Sequence, residues 1–174
     1  MRRKNLAFSA ILISIPGLVF AAPHDGWYGG FSAAYNIGDG TLTIPAYVPS
    51  TYQLDPDGVG VGGFGGYNFP SSGVLVFGIE AGVHLLNTSD SVATAVPGET
   101  FSVDGNWEAS IVARAGGTAG SFSIYGLGGA TIMDLSGQYT GGFASQSDSQ
   151  VGWTVGFGAE RELPGGGFVR GEVR

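Results

Sequence analysis

The chain has 174 residues, a formal net charge of −7, no cysteine and 33 glycines. A chain without cysteine has no disulfide and no thiol chemistry. An acidic chain also lacks the basic surface that nucleic-acid binding needs, so nucleic acid is excluded as a partner. The glycines alternate with Trp, Tyr, Phe, Val and Ile, whereas disordered chains lack such aromatic content. Length and composition therefore indicate a folded chain of one domain.

The first element is a predicted signal peptide over residues 1–21. A basic start precedes an apolar run over residues 6–20, and Val19 and Ala21 are suited to the positions that signal peptidase reads. Cleavage is therefore expected after Ala21. The run is shorter than the ~20 residues that a membrane-spanning helix requires. An uncleaved anchor helix is the alternative.

Residues 22–174 are expected to form one domain, a transmembrane β-barrel. Removal of the leader takes away three basic residues and leaves four arginines against fourteen carboxylates, a net charge of −10. The clearest alternation is at residues 151–160, where odd positions are apolar and even positions are Gly, Thr or Glu. Such period-two alternation predicts β-strands. One apolar row and one small or polar row suit a barrel with lipid outside and a lumen inside.

Seven strands are predicted after the leader. They cover residues 27–37, 58–69, 73–87, 106–117, 121–135, 150–162 and 167–174. The fifth has poor alternation, so its two faces are not assigned. The fold class is an all-β, antiparallel, up-and-down transmembrane barrel with eight strands expected and about seven present.

The connections between these strands alternate strictly between long and short. The short ones lie at residues 68–73, 117–120 and 163–166, and the long, acidic ones at 38–57, 88–105 and 136–149. Bacterial barrels have short periplasmic turns and long extracellular loops. The three long connections are therefore expected outside the cell, where they could bind host molecules or cations that bridge lipopolysaccharide.

Three motifs carry a resemblance to a known family. They are Gly26-Trp27-Tyr28-Gly29-Gly30-Phe31, residues 151–160, and Val169-Arg170-Gly171-Glu172-Val173-Arg174. Because the motifs occur in this order and spacing, residues 26–174 resemble the small outer-membrane β-barrels of Gram-negative bacteria. This group includes opacity-type and porin-like surface antigens and the barrel of outer-membrane protein A. The resemblance implies a barrel among outer-membrane lipids and lipopolysaccharide, inserted by the outer-membrane assembly machinery.

One departure from the family pattern concerns closure of the barrel. The family has an eighth strand that ends in an aromatic residue, whereas the seventh strand here runs outward to Arg174. We expect the last loop and strand to be missing from this chain. Open strand edges in lipid are costly because each unpaired backbone group lacks a partner. A miscounted strand and closure by a partner chain are the alternatives.

Ionisable side chains on the predicted lumen rows form a candidate polar network. They are Glu80, His84, Glu108, Arg114, Glu160, Arg170 and Glu172. A three-residue turn at residues 164–166 would place Glu160 opposite Arg170. Because an eight-stranded barrel leaves an interior just wide enough for side chains, the network is expected to fill the lumen. A narrow porin-like diffusion channel for small solutes is the alternative.

The sequence predicts no enzyme, no cofactor and no metal site. His84 is a possible catalyst, but the spacing selects neither a nucleophile nor an orienting carboxylate for it. A polar residue at the mouth of the lumen is the preferred interpretation. The segment Asp55-Pro56-Asp57-Gly58 lacks the further ligands of a calcium loop.

Aromatic side chains are expected to form a girdle at each membrane surface. Trp27, Tyr67 and Phe69 fall near the periplasmic strand ends, and Tyr35, Trp107 and Trp153 near the outer ends. The leading interpretation is a structural, surface-exposed barrel. A soluble ligand-binding barrel of the lipocalin type is a further alternative, but the chain is only 12% charged, too little to coat a soluble barrel comfortably.

Overall fold

The computed structural model of the protein describes residues 6–14, 25–44, 50–55, 57–71, 73–93, 99–140 and 145–174. These residues form nine strands. They are β1 (Leu6–Ser14), β2 (Gly26–Ile44), β3 (Ser50–Leu54), β4 (Asp57–Phe69), β5 (Leu75–Ala93), β6 (Thr100–Ala119), β7 (Phe122–Tyr139), β8 (Ser145–Leu163) and β9 (Gly167–Val173). Within these ranges there is no helix long and apolar enough to cross a membrane.

Seven of the strands form a curled sheet in which neighbours in sequence are neighbours in space. The order is β2-β4-β5-β6-β7-β8-β9, and every pair is antiparallel. These are the seven predicted strands, so the predicted all-β, up-and-down arrangement is confirmed. The short strand β3 pairs with residues 40–44 of β2 as a side hairpin.

The place between the last and the first of these strands is occupied by β1. This strand pairs with β2 from Leu6 to Ile13 and with β9 from Ile11 to Ser14, in both cases antiparallel. This strand lies inside the predicted signal peptide. The predicted cleavage point after Ala21 lies outside the described residues, and the signal peptide remains a prediction.

The long connections are shorter in the structure than predicted, because the strands continue into them. β5 extends to Ala93 and β6 begins at Thr100, while β7 extends to Tyr139 and β8 begins at Ser145. The added residues 88–93 are Thr-Ser-Asp-Ser-Val-Ala and contain no continuous apolar row. A strand that faces water on both sides carries no period-two hydrophobic signal, and for this reason the sequence pattern ended too early.

A β-bulge at Asn106 changes which residues of β6 face inward. The register of β6 against β7 passes from Trp107 opposite Asp134 to Gly105 opposite Leu135, which leaves Asn106 as the extra residue. Below the bulge the buried positions are even-numbered, as at Ser110, and above it they are odd-numbered, as at Gly105. The Asn106 amide donates hydrogen bonds to Asp134 and Ser136, at 3.0 and 2.9 Å.

Charge is inside the barrel and large apolar side chains are outside. Trp27 and Trp153 are 77% and 79% exposed, whereas Glu80 and Arg114 are each 3% exposed. A protein folded for water has the opposite arrangement. The exposed apolar residues therefore form the surface that meets lipid in a membrane barrel.

The faces of β7, which could not be assigned from sequence, are clear in the structure. Tyr125, Leu127 and Leu135 are buried, whereas Phe122 and Ile124 are exposed. Both rows of this strand are apolar. Alternation of polarity therefore could not distinguish the lumen row from the lipid row.

Candidate functional site: the barrel lumen

Four lumen side chains from four strands form the centre of a charge cluster. Glu80 of β5 lies 3.2 Å from Arg114 of β6 and 2.7 Å from Arg170 of β9, both distances measured from its Oε2. Glu160 of β8 accepts hydrogen bonds from Arg114 Nη2 at 2.9 Å and from Arg170 Nε at 2.7 Å. Each arginine therefore bridges the same two carboxylates, and the lumen is crossed from β5 to β8.

Two further charged residues of the C-terminal segment complete the charge cluster. Arg174 donates from Nη2 to Glu80 Oε1 at 3.2 Å and from Nε to Glu172 Oε1 at 2.5 Å. It also donates to Ser110 Oγ at 2.9 Å. The charge cluster is therefore composed of Glu80, Arg114, Glu160, Arg170, Glu172 and Arg174, and its formal charges cancel.

The charged groups of the cluster are buried and therefore need oppositely charged partners. The side chains of Glu80, Arg114 and Arg170 are each 2% exposed, and that of Glu160 is 14% exposed. Desolvation of a charge is costly, so an ionised group is tolerated there only with partners. The cluster supplies each carboxylate with at least one guanidinium.

Aromatic side chains surround the two central arginines. The guanidinium of Arg114 lies 4.0 Å from the ring centre of Tyr125, and that of Arg170 lies 4.3 Å from that of Phe64. The Tyr28 hydroxyl donates to Glu80 Oε2 and accepts from Arg114 Nη1, each at 3.0 Å. Ring faces favour nearby cations, so these aromatics replace part of the lost hydration.

His84 and Glu108 were predicted to join the lumen network, and the structure gives each of them a hydrogen-bond partner outside the charge cluster. His84 Nε2 lies 2.7 Å from the hydroxyl of Ser32, and both residues are buried. Glu108 is the backbone partner of His84 in the β5–β6 register, and its carboxylate accepts a hydrogen bond from Thr131 Oγ1 at 2.9 Å. Of the seven predicted lumen residues, the structure thus brings Glu80, Arg114, Glu160, Arg170 and Glu172 together.

Three members of the site were missed by reasoning from sequence. Tyr28 lies on the even-numbered row of β2, and Arg174 lies two residues beyond Glu172 on the same row of β9. The period-two alternation therefore placed both residues on lumen rows. Tyr125 lies on the strand whose faces could not be assigned. Its hydroxyl donates to Glu172 Oε2 at 2.8 Å.

The predicted girdle residues are distributed over the outer wall. Trp27 packs edge-on against Tyr67 with ring centres 5.2 Å apart, and Tyr67 packs against Phe69 at 5.5 Å. Tyr35 donates a hydrogen bond to Asp57 at 2.6 Å. Trp153 is exposed, whereas Trp107 is half-buried.

No group of three or more His, Asp or Glu residues in the described part of the chain is arranged to hold a metal ion. In the segment Asp55-Pro56-Asp57-Gly58, Pro56 lies outside the described residues. The Asp55 backbone N–H donates to Asp90 Oδ2 at 2.7 Å. Asp90 Oδ2 is therefore already the acceptor of a backbone hydrogen bond.

The antiparallel sheet, its apolar outer wall and its charged lumen define an outer-membrane β-barrel. The chain matches the outer membrane protein beta-barrel domain over residues 7–174 and belongs to that family. It is also similar to the 25 kDa outer-membrane immunogenic protein of Brucella ovis, with 29% identity over 163 residues. That match covers 92% of this chain and 74% of the relative. The resemblance expected from the sequence motifs and the outer-membrane location are thereby confirmed.

Proposed function

We propose that this outer-membrane barrel is a structural, surface-exposed protein whose lumen is sealed by the charge cluster, and that it neither conducts solutes nor catalyses a reaction. The observation that supports a sealed lumen is the double bridge of Arg114 and Arg170 between Glu80 and Glu160. These contacts join β5, β6, β8 and β9 across the interior.

Apolar packing beside the charge cluster supports the same proposal. Val112, Tyr125 and Leu127 form a buried group on the lumen side of β6 and β7. An eight-stranded barrel has an interior that side chains can fill. A hydrated ion would have to displace buried ion pairs and apolar side chains together, so conduction through the resting structure is disfavoured.

The Ser32–His84 pair does not support a hydrolase. A catalytic histidine needs a carboxylate that orients it and a nucleophile that the substrate can reach. Ser32 and His84 are 5% and 4% exposed, and the carboxylate of Glu108 accepts from Thr131. We interpret the pair as a hydrogen bond that satisfies two buried polar groups.

The outer surfaces suggest the partners of the barrel. The apolar wall with Trp27 and Trp153 would contact outer-membrane lipids and lipopolysaccharide, and insertion would depend on the outer-membrane assembly machinery. The Brucella relative is called immunogenic. For this chain, we propose that the hairpins extending β5–β6 and β7–β8 are presented at the cell surface, where host molecules could meet them.

Conductance in a planar bilayer tests the sealed lumen. The refolded full chain, verified as a barrel by its heat-modifiable mobility in a detergent gel, is expected to show no steady conductance steps. Arg114→Ala combined with Arg170→Ala removes both bridges and is expected to produce steps. Arg161→Ala removes an exposed arginine of the same barrel and is the matched control, expected to stay silent. Steady ohmic steps from the unaltered protein would instead support the diffusion channel.

A further inference from the structure

We propose that the outer wall around Arg161 binds one anionic glycerophospholipid, with the guanidinium on the lipid phosphate and an acyl chain in a groove along β6 and β7. The site goes beyond the sealed lumen, because it lies on the lipid-facing side of the barrel and does not depend on conduction. In the predicted orientation the short turns face the periplasm, so the lipid would come from the leaflet on that side.

Arg161 is the one cation on the outer wall in the part of the chain that the structure describes. Residues 22–174 contain four arginines and no lysine. Arg114, Arg170 and Arg174 belong to the charge cluster, and their side chains are buried. Arg161 is exposed and lies on the outward row of β8. An anionic headgroup at the wall would therefore be attracted to this position, since cations near a membrane surface favour anionic lipids.

The Arg161 guanidinium lies where β8 approaches a short turn. Arg161 is opposite Phe122, the first residue of β7, and the Glu162 N–H donates to Ser121 O in that turn at 2.9 Å. The guanidinium lies 5.2 Å from the centre of the Phe122 ring. A ring attracts the cation but does not neutralise its charge. The charge is therefore held against the wall near the strand ends, where long cationic side chains meet lipid headgroups.

Small outward residues of β6 and β7 form the groove. Ala115 lies opposite Gly126, and Ala113 lies opposite Gly128. Two strands at a spacing of ~4.8 Å make a depression about 10 Å wide. This width is enough for a lipid acyl chain. Larger outward side chains, directly beside these four residues in the register, border the groove on both sides. They are Phe77 and Ile79 of β5 and Val155 and Phe157 of β8.

The groove continues along β7 toward Arg161, and its floor is open. Gly126 follows Phe122 on the same outward row. A Cβ at Gly126 would come no closer than 3.9 Å to Gly156 O, and one at Gly128 no closer than 3.6 Å to Val155 Cγ1. Packing within the barrel therefore does not require glycine at either position. Because dispersion contacts accumulate over every atom that is covered, a chain in this groove would strengthen binding of a lipid whose phosphate is at Arg161.

Native mass spectrometry of the refolded full chain tests the headgroup contact. Phosphatidylglycerol is the probe, and zwitterionic phosphatidylcholine with the same acyl chains is the comparison. The unaltered barrel is expected to retain phosphatidylglycerol in preference. Arg161→Gln should weaken that binding about fivefold, the usual contribution of a basic residue beside anionic lipid. Equal retention of the two lipids by the unaltered barrel, or unchanged binding by Arg161→Gln, would overturn the proposal.

A relocated arginine tests whether any cation on the wall would suffice. Arg161→Gln combined with Val151→Arg keeps the net charge and moves the cation toward the other end of the outward row of β8, away from Phe122. This chain is expected to bind phosphatidylglycerol no better than Arg161→Gln alone. Recovery of binding would contradict a site built around Arg161, while leaving the barrel and its sealed lumen unaffected.

Filling the groove tests the acyl-chain contact. Gly126→Leu adds a side chain to the groove without a collision inside the barrel and is expected to weaken retention of phosphatidylglycerol. Gly65→Leu is the matched control on the outward row of β4, where a Cβ also has room, and should have no effect. Glycerol 3-phosphate, which has no acyl chain, should not displace the lipid even in large excess. Full binding by Gly126→Leu, or displacement by glycerol 3-phosphate, would overturn the lipid site in favour of a site for phosphate alone.

Discussion

Arg170 lies directly opposite Glu160 in the register of β8 and β9, and it binds a second carboxylate on the far side of the lumen. Its Nε donates to Glu160 Oε1 at 2.7 Å, and its Nη1 donates to Glu80 Oε2, also at 2.7 Å. One guanidinium therefore ties β8 to β5 through the interior. Loss of Arg170 would leave two buried carboxylates with fewer partners.

A double-mutant cycle on this pair should show strong coupling. Arg170→Ala and Glu160→Ala are each expected to lower the free energy of unfolding by ~3–5 kcal/mol, the usual cost of orphaning a buried charge. The double variant should lose less than the sum, because it leaves no unpaired partner from this pair. Urea unfolding in lipid vesicles, followed by tryptophan fluorescence, measures all three. Strictly additive losses would contradict the pairing.

The strands were predictable from sequence because their two rows differ in polarity. On β5, the row with Leu75, Phe77 and Ile79 alternates with the row that includes Glu80, and the structure exposes the first and buries the second. The short turn before β9 likewise predicted that Glu160 would face Arg170. Local spacing sufficed here because a hairpin register depends on few residues.

Other parts of the lumen depend on contacts that local spacing does not contain. The bulge at Asn106 exchanges the inward row of β6, and no feature of the sequence around it marks this change. Tyr125 reaches Glu172 across 47 positions of sequence, on a strand with two apolar rows. The pairing of β1 with β9 joins segments from opposite ends of the chain. Such long-range arrangements require the closed ring of strands.

Two neighbouring glycines of β7 should differ in their tolerance of alanine. A Cβ at Gly129 would collide with Ile111 O and lie 2.7 Å from Val112 Cα, both backbone atoms of the adjacent strand. A Cβ at Gly128 would come no closer than 3.6 Å to Val155 Cγ1. Gly129→Ala is therefore expected to cost ~1–3 kcal/mol, as overpacking usually does. Gly128→Ala should be near neutral in the same urea experiment. If Gly129→Ala were as neutral as Gly128→Ala, β7 would be able to shift away from β6 at no cost in stability.

A lysine on the outer wall should be tolerated poorly in a membrane. Val155 is 59% exposed and lies on the lipid-facing row of β8, two residues from Trp153. Val155→Lys is expected to lower the free energy of unfolding from lipid vesicles by ~1–2 kcal/mol, because the cost of a cation on the lipid face is largest at the bilayer midplane and falls toward the membrane surfaces. Ser121→Lys, in the exposed turn between β6 and β7, is the control and should have little effect. A harmless Val155→Lys would favour an outer wall in water, as in a soluble barrel.

The two exposed tryptophans should lie at the membrane surfaces and not at its centre. Trp27 is at the start of β2, the end predicted to face the periplasm, and Trp153 is on the outer wall of β8. Amphipathic indole rings favour the headgroup region. In chains that retain a single tryptophan, lipids brominated near the headgroup should quench Trp27 and Trp153 more strongly than lipids brominated near the chain ends. Phe157→Trp, on the outward row of β8 four residues from Trp153 toward the turn at residues 164–166, provides a matched position between the two strand ends and should show the opposite preference. If Trp27 and Trp153 were quenched like the residue at position 157, they would be ordinary wall residues without a girdle role.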